Sequence, residues 1–176
     1  TIAVANVNDA PTFTSTAVTS ATEDSAYSYT VTTSDVDSGD TVTLAGTTVP
    51  SWLSFNASTG ALTGTPLNAH VGNHEVVITA TDESSSSVTQ SFTIAVANVN
   101  DAPTFTSTAV TSATEDSAYS YTVTTSDVDS GDTVTLAGTT VPSWLSFNAS
   151  TGALTGTPLN AHVGCLLYTS PSPRDA

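Results

Sequence analysis

The opening stretch of this chain returns letter for letter, Thr1–Gly72 as Thr93–Gly164, so the sequence is a tandem array in which Thr1 recurs as Thr93, a period of 92. A repeat of that length carries enough residues to fold around one small core of its own, and tandem identity means each copy meets the same neighbour. The chain therefore reads as one complete domain, residues 10–101, with pieces of its neighbours on either side. Residues 1–9 are the last strand and joint of an upstream copy, and residues 102–164 are a truncated second copy. From Cys165 to Ala176 the repeat breaks off where Asn73 onward should recur. This tail holds the only Cys and the only basic residue, Arg174, and resembles a sequencing or assembly artefact outside the fold.

Within one repeat, apolar and polar residues alternate with period two through stretches rich in Thr, Val, Tyr and Ile, and no helical spacing is sustained. Seven strands are expected, near 12–18, 27–32, 41–44, 53–56, 61–64, 74–81 and 88–96. Between them, Asp37-Ser-Gly-Asp40, Ser58-Thr-Gly60, Gly64-Thr-Pro66 and Asp82–Ser87 supply turn chemistry. The expectation is all-β: tandem Greek-key β-sandwiches of the immunoglobulin class. Trp52, Leu53, Phe55, Tyr29, Val31, Leu62, Val77, Ile78, Phe92 and Ile94 are the expected core. A truncated second copy is expected to leave an open sheet edge and to fold poorly.

The formal charge is -15, and no Lys or Arg occurs in either copy. A surface of that sign lacks the charge-assisted contacts that hold phosphate, which argues against nucleic acid, makes anionic membranes poor partners and favours cations. Acids recur at the seams, in Asn6-Val-Asn-Asp9 and Asn98-Val-Asn-Asp101, and in Asp35-Val-Asp37 two carboxylates lie two residues apart, on one side of an extended chain. Ca²⁺ takes six to eight oxygen ligands from carboxylates, amides and backbone carbonyls, a number that only convergent segments supply.

The joint Asn98-Val-Asn-Asp-Ala-Pro103 resembles the linker of cadherin repeats, and Val49-Pro-Ser-Trp-Leu-Ser-Phe-Asn-Ala-Ser-Thr-Gly-Ala-Leu-Thr-Gly-Thr-Pro66 with Val76-Val-Ile-Thr-Ala-Thr-Asp82 is similar to bacterial dystroglycan-type cadherin-like repeats of large surface adhesins. That resemblance implies Ca²⁺ held between consecutive domains. At the second joint the implied ligands are Glu23 from the upstream domain, Asn98, Asn100 and Asp101 from the linker, and Asp127 and Asp129, with Asp132 nearby, from the downstream domain. At the first joint Asn6, Asn8 and Asp9 pair with Asp35, Asp37 and Asp82. The sequence departs from the cadherin pattern in two places. Leu62-Thr-Gly-Thr65 stands where cadherins carry Leu-Asp-Arg-Glu, and Asn98 replaces the first linker Asp, which implies one or two weakly held ions per joint.

Catalytic chemistry is not expected. His70 and His74 are four apart, a spacing that serves a metal on a helix, whereas this stretch contains Gly72 and leads into a strand. No Gly-x-Ser-x-Gly elbow occurs. The reading is a calcium-rigidified spacer of an exported, cell-surface or secreted bacterial adhesin, whose partners are calcium and the neighbouring repeats. Two alternatives are a module that binds glycans or matching repeats on another cell, and an accessory domain of a secreted polysaccharide-degrading enzyme. Exposed aromatic residues would favour a binding module.

Overall fold

The computed structural model describes residues 2–3, 5–164 and, for the backbone alone, 172–175; Cys165 and the start of the divergent tail lie outside the described residues. The chain divides into two compact units, Thr1–Val99 and Asn100–Ala176. Neither contains an α-helix among the described residues, and each is an all-β unit.

The first unit has nine strands: β1 Thr12–Phe13, β2 Ser20–Thr22, β3 Tyr27–Thr30, β4 Thr33–Ser34, β5 Thr43–Thr48, β6 Leu53–Asn56, β7 Ala61–Gly64, β8 Gly72–Thr81 and β9 Ser87–Ala97. One sheet runs β2-β9-β8-β5, the facing sheet β3-β7-β6, and β1 pairs with β4. Nine strands replace the expected seven: the stretches expected at 12–18 and 27–32 are strand only over β1 and β3, and β2 and β4 follow beyond those bounds. The first pairs antiparallel with β4 at Thr12↔Ser34, then crosses over and pairs parallel with β9 at Ala21↔Val96. Ser15 sits at the crossing, where its hydroxyl accepts from the Thr32 N–H at 2.9 Å and shares a hydrogen bond with Tyr29 Oη at 2.7 Å. A hydroxyl that satisfies a backbone donor in this way offers the chain an alternative to the sheet ladder.

The core lies between the sheets. Leu62, Val76, Ile78 and Ile94 are fully buried, and each contributes about 1.5–3 kcal/mol by leaving water. Val76, not Val77, is the buried member of its pair, since successive side chains of β8 point to opposite faces. Phe55 and Phe92 are half-buried and pack against the cluster from its margin. Tyr27 stands edge-on to Trp52 with ring centroids 5.7 Å apart, and its hydroxyl donates to the Val18 carbonyl at 2.7 Å. Burial, reinforced by neighbouring Tyr29, pushes that phenol up to about 12. Gly60 closes the turn between β6 and β7 at φ +70°, and a Cβ there would lie 2.3 Å from the Val31 carbonyl oxygen, so only glycine fits.

The second unit repeats half of this plan: β10 Thr104–Phe105, β11 Tyr119–Thr122, β12 Thr125–Ser126, β13 Val134–Ala137, β14 Leu145–Asn148, β15 Ala153–Gly156 and β16 Ser172–Asp175. Its β11-β15-β14 sheet has the register of β3-β7-β6, with Tyr119↔Gly156 matching Tyr27↔Gly64. The sequence diverges after Gly164, and among the described residues no strand repeats β8 or β9. The edge of β13, expected to be open, is instead paired antiparallel with the backbone of β16, which belongs to the divergent tail. The other edge differs: residues 112–114, the copy of β2, form no strand. Trp144 and Leu145 are half-buried where Trp52 and Leu53 are buried.

Candidate metal centre

In the first unit, Asp35, Asp40 and Asp82 each offer a carboxylate oxygen, and the three atoms lie within 4.8 Å of one another. Two loops bring them together, β4–β5 for Asp35 and Asp40 and β8–β9 for Asp82. Asp35 follows β4, Asp40 ends the turn Ser38–Gly39, and Asp82 starts the loop between β8 and β9.

Each loop is tied by its own acids. The Asp37 N–H donates to Asp35 Oδ1 at 2.9 Å, so this stretch is a turn, not the extended chain expected from the two-residue spacing. Val36 is thrown outward, 78% exposed. The Ser86 N–H donates to Asp82 Oδ1 at 2.8 Å and the Asp82 N–H to the Ser86 carbonyl at 3.0 Å, closing the loop that the sequence left as a serine run.

The linker docks onto this frame. Asn6 Nδ2 donates to Asp37 Oδ1 at 2.8 Å, the Asp9 N–H donates to Asp37 Oδ2 at 2.7 Å, and Asn8 Nδ2 donates to Asp82 Oδ2 at 2.9 Å. Sequence reasoning grouped these residues, and the structure brings Asn6, Asn8 and Asp9 against Asp37 and Asp82. Asp37 itself has both oxygens committed to the linker and stands outside the tight trio. Those two hydrogen bonds, the Asn6 amide first, hold its carboxyl below the ordinary 3.8 even though burial opposes them. Asp40, the residue that sequence reasoning missed at this joint, takes the remaining corner. Its signal was available, because its copy Asp132 was singled out at the other joint. Burial first, then the negative charge of Asp35, Asp37, Glu83 and Asp82, raises its carboxyl above 3.8.

The second unit repeats the frame. Asp127, Asp129 and Asp132 bring carboxylate oxygens within 4.8 Å of one another, the Asp101 N–H donates to Asp129 Oδ2 at 2.6 Å, and the Asp129 N–H to Asp127 Oδ1 at 3.0 Å. Asn100 Nδ2 donates to the Asp101 carbonyl at 3.0 Å. On the opposite end of the first unit, Glu23 is only 2% exposed and accepts from the Val99 N–H at 3.3 Å, while Asn98 is exposed.

One atom in each unit bears on whether these groups suit a cation. Asp35 Oδ2 and its copy Asp127 Oδ2 are buried without a hydrogen-bond partner. A buried carboxylate oxygen left unmatched is costly unless a donor or cation meets it. Both sit among other carboxylates, so the donor set is all oxygen and fits a hard divalent ion.

The histidines do come together, against the spacing argument. His70 lies on a 3-10 turn, Asn68–His70, and His74 on β8, with rings 6.4 Å apart and Trp52 beside both. Their ring nitrogens are engaged by the backbone: His70 Nδ1 accepts from the Leu67 N–H at 3.0 Å, and His74 Nε2 meets the His70 carbonyl at 2.6 Å. They pack the end of the core.

Residues 10–97 and 102–169 both match the family described as Putative Ig domain. The chain belongs to that family. Among curated proteins, this Ig-like chain is similar to the "Serine-rich adhesin for platelets" of Staphylococcus aureus, 35% identical over 130 residues that cover 74% of this chain and 6% of the adhesin. The same adhesin from strain MRSA252 matches at 35% over 9% of its length, so the chain spans a small fraction of these relatives. Among solved structures, PcdhgB3 EC1-4 aligns with TM-score 0.59 at 18% identity, covering 98% of this chain and 50% of that one. Human Protocadherin-24 EC1-2 aligns with TM-score 0.51 at 19% identity, covering 97% and 94%. At such identities the likeness is one of fold. The chain is thus an Ig-like tandem repeat with a cadherin-like fold.

Proposed function

We propose that this chain is a calcium-held spacer from an extracellular or cell-surface adhesin, with Ca²⁺ at each joint between repeats. The observation that carries the reading is the trio Asp35, Asp40 and Asp82, with carboxylate oxygens within 4.8 Å and the buried, unmatched Oδ2 of Asp35. No Lys or Arg in either repeat is available to neutralise it. Like charges gathered this closely raise one another's energy, and a divalent cation reverses the sign of that interaction.

On this reading Asp35, Asp40 and Asp82 ligate at the first joint, and Asp127, Asp129 and Asp132 at the second. Asp37, Asn6, Asn8 and Asp9 fix the linker so that its oxygens share the ion, and Asn98, Asn100, Asp101 and Glu23 act likewise around the second joint. Bound Ca²⁺ supplies positive charge that ties loops and linker together and stabilises the folded state by mass action. A stiffened joint then sets the reach of the array, while adhesion itself resides elsewhere in the parent protein. Burial of Trp52, Tyr27 and Tyr29, each 8% exposed or less, supports a spacer over a sugar-stacking surface.

Small-angle X-ray scattering of the chain in millimolar Ca²⁺ and in excess chelator tests this. We expect Ca²⁺ to narrow the distribution of distances and to sharpen its maximum. Identical scattering in both conditions would remove the spacer mechanism.

A further inference from the structure

Nine asparagines occur in the chain, and only Asn56 and Asn148 are followed at the second position by Ser or Thr, in the identical tripeptides Asn56-Ala-Ser58 and Asn148-Ala-Ser150. In an exported protein that tripeptide is the acceptor pattern for an N-linked sugar. Whether a copy can serve depends on where the fold puts it. Here it opens the hairpin between β6 and β7. Asn56 is the last residue of β6, and Asn56, Ala57, Ser58 and Thr59 are all exposed. Asn148, Ala149, Ser150 and Thr151 are exposed in the matching hairpin of the second unit.

The turn uses only part of each polar side chain. Asn56 Oδ1 accepts from the Ser58 N–H at 3.0 Å and from the Thr59 N–H at 3.2 Å, and the Asn56 carbonyl accepts from the Gly60 N–H at 2.8 Å. Asn148 Oδ1 makes the same two bonds to Ser150 and Thr151, at 3.0 and 3.2 Å. Because only the side-chain oxygen is engaged, an aspartate would close this turn as well. The Asn56 amide nitrogen and the Ser58 hydroxyl take no part in it. Those are the two groups that N-linked transfer requires, one to receive the sugar and one for the transferase to recognise.

We propose that Asn56 and Asn148 are acceptors for an N-linked sugar, taken from a donor that carries it as a glycosyl diphosphate. Transfer breaks the bond between the anomeric carbon and the diphosphate oxygen, and the diphosphate leaves with the bonding electrons. A bond forms between that carbon and Nδ2, which gives up one proton. Oδ1 keeps both of its hydrogen bonds, so the modified hairpin keeps its turn. The sugar stands at the end of β6, the outer strand of the β3-β7-β6 sheet, where a bulky neutral group blunts an edge that has no charged residue of its own. The modification is independent of the calcium reading, and chelator should leave it intact.

Two donors carry this chemistry, a lipid-linked oligosaccharide and a nucleotide sugar, and two preparations of the full chain separate them. One is secreted from yeast behind a signal peptide, where the donor is the lipid-linked oligosaccharide. The other is made unmodified and incubated with UDP-glucose and a soluble transferase that uses the Asn-x-Ser pattern. Peptide mass mapping should find an oligosaccharide on Asn56 and Asn148 in the first, or a single hexose on them in the second. Ser58→Ala should remove the sugar from Asn56 and leave that on Asn148. Asn56→Asp should do the same while keeping the turn's acceptor oxygen, and thermal melts of the unglycosylated variants should match the unglycosylated parent. Bare Asn56 and Asn148 in both preparations overturn the proposal, as does a sugar that persists on Asn56 in Ser58→Ala.

Discussion

Ile94→Ala and Ile2→Ala change the same residue in the same pentapeptide, and the structure assigns them opposite costs. Ile94 is 0% exposed, in a strand flanked on both sides by β2 and β8, whereas Ile2 is 94% exposed. Truncating a fully buried Ile removes about three methylene-sized groups from the core and leaves a cavity where β2, β8 and β9 interlock, which costs roughly 2–5 kcal/mol. For a domain of this size that lowers Tm by roughly 8–40 °C. The exposed copy should cost no more than about 0.5 kcal/mol. Urea melts at micromolar concentration, read from Trp52 fluorescence after Trp144→Phe, follow the first unit alone, since each unit contains one of the two tryptophans. A loss below about 1 kcal/mol for Ile94→Ala, or above that for Ile2→Ala, would refute the reasoning that position in the sheet and not sequence decides the contribution.

Three further outcomes follow from the packing and the charges. Gly60→Ala should cost at least about 2 kcal/mol, since φ +70° strains any side chain and the new Cβ would meet the Val31 carbonyl, whereas Gly39→Ala, with nothing within 4 Å, should cost only its backbone strain; paired melts compare them. Acidification in chelator should act in two stages. Asp40, raised above 3.8, is destabilising when ionised, so stability rises as pH falls through its folded value towards 3.8; Asp37, lowered below 3.8, stabilises when ionised, and that contribution is lost as pH falls from 3.8 through its folded value. Asp40→Asn should flatten the first stage, and a monotonic profile unaffected by that change would contradict the assignment. Tyr27 should stay protonated at pH 11, about 12 being its expected midpoint, so ultraviolet titration of the folded chain should fall one tyrosine short of the titration of Tyr27→Phe plus one.

Much of the fold was legible because period-two alternation and turn residues report sheet faces directly. The strands β3, β6, β7, β8 and β9 lie within two residues of their expected bounds. What alternation does not report is which sheet a strand joins. The crossing at Ser15 and the break after Thr30 depend on partners far along the chain, Gln90 among them, which receives the Tyr29 hydroxyl at 2.8 Å. Val76 and Val77, two adjacent valines, look alike in the sequence until the register of β8 turns Val76 inward. At the joint, the linker and its acids were visible as motifs, and their grouping follows from a sandwich whose loops share one end. The inward turn at Asp35–Asp37 was missed because the sequence spacing suits a strand, and the local Asp37 N–H to Asp35 Oδ1 hydrogen bond wins instead. The difference between Glu23 and Glu115 could be read in no motif, since identical sequence is buried or left half-open according to whether β9 is present.

Calcium at the joints is tested most directly by titration calorimetry of the chain against CaCl₂, beside Asp35→Asn and Asp127→Asn together. We expect saturable heat with Kd on the order of 10⁻⁴ to 10⁻³ M, typical of extracellular modules, and its loss in the double variant while the fold is retained. No heat up to about 10 mM Ca²⁺, an order of magnitude beyond that range, would contradict a calcium-held joint. So would heat unchanged by the two substitutions.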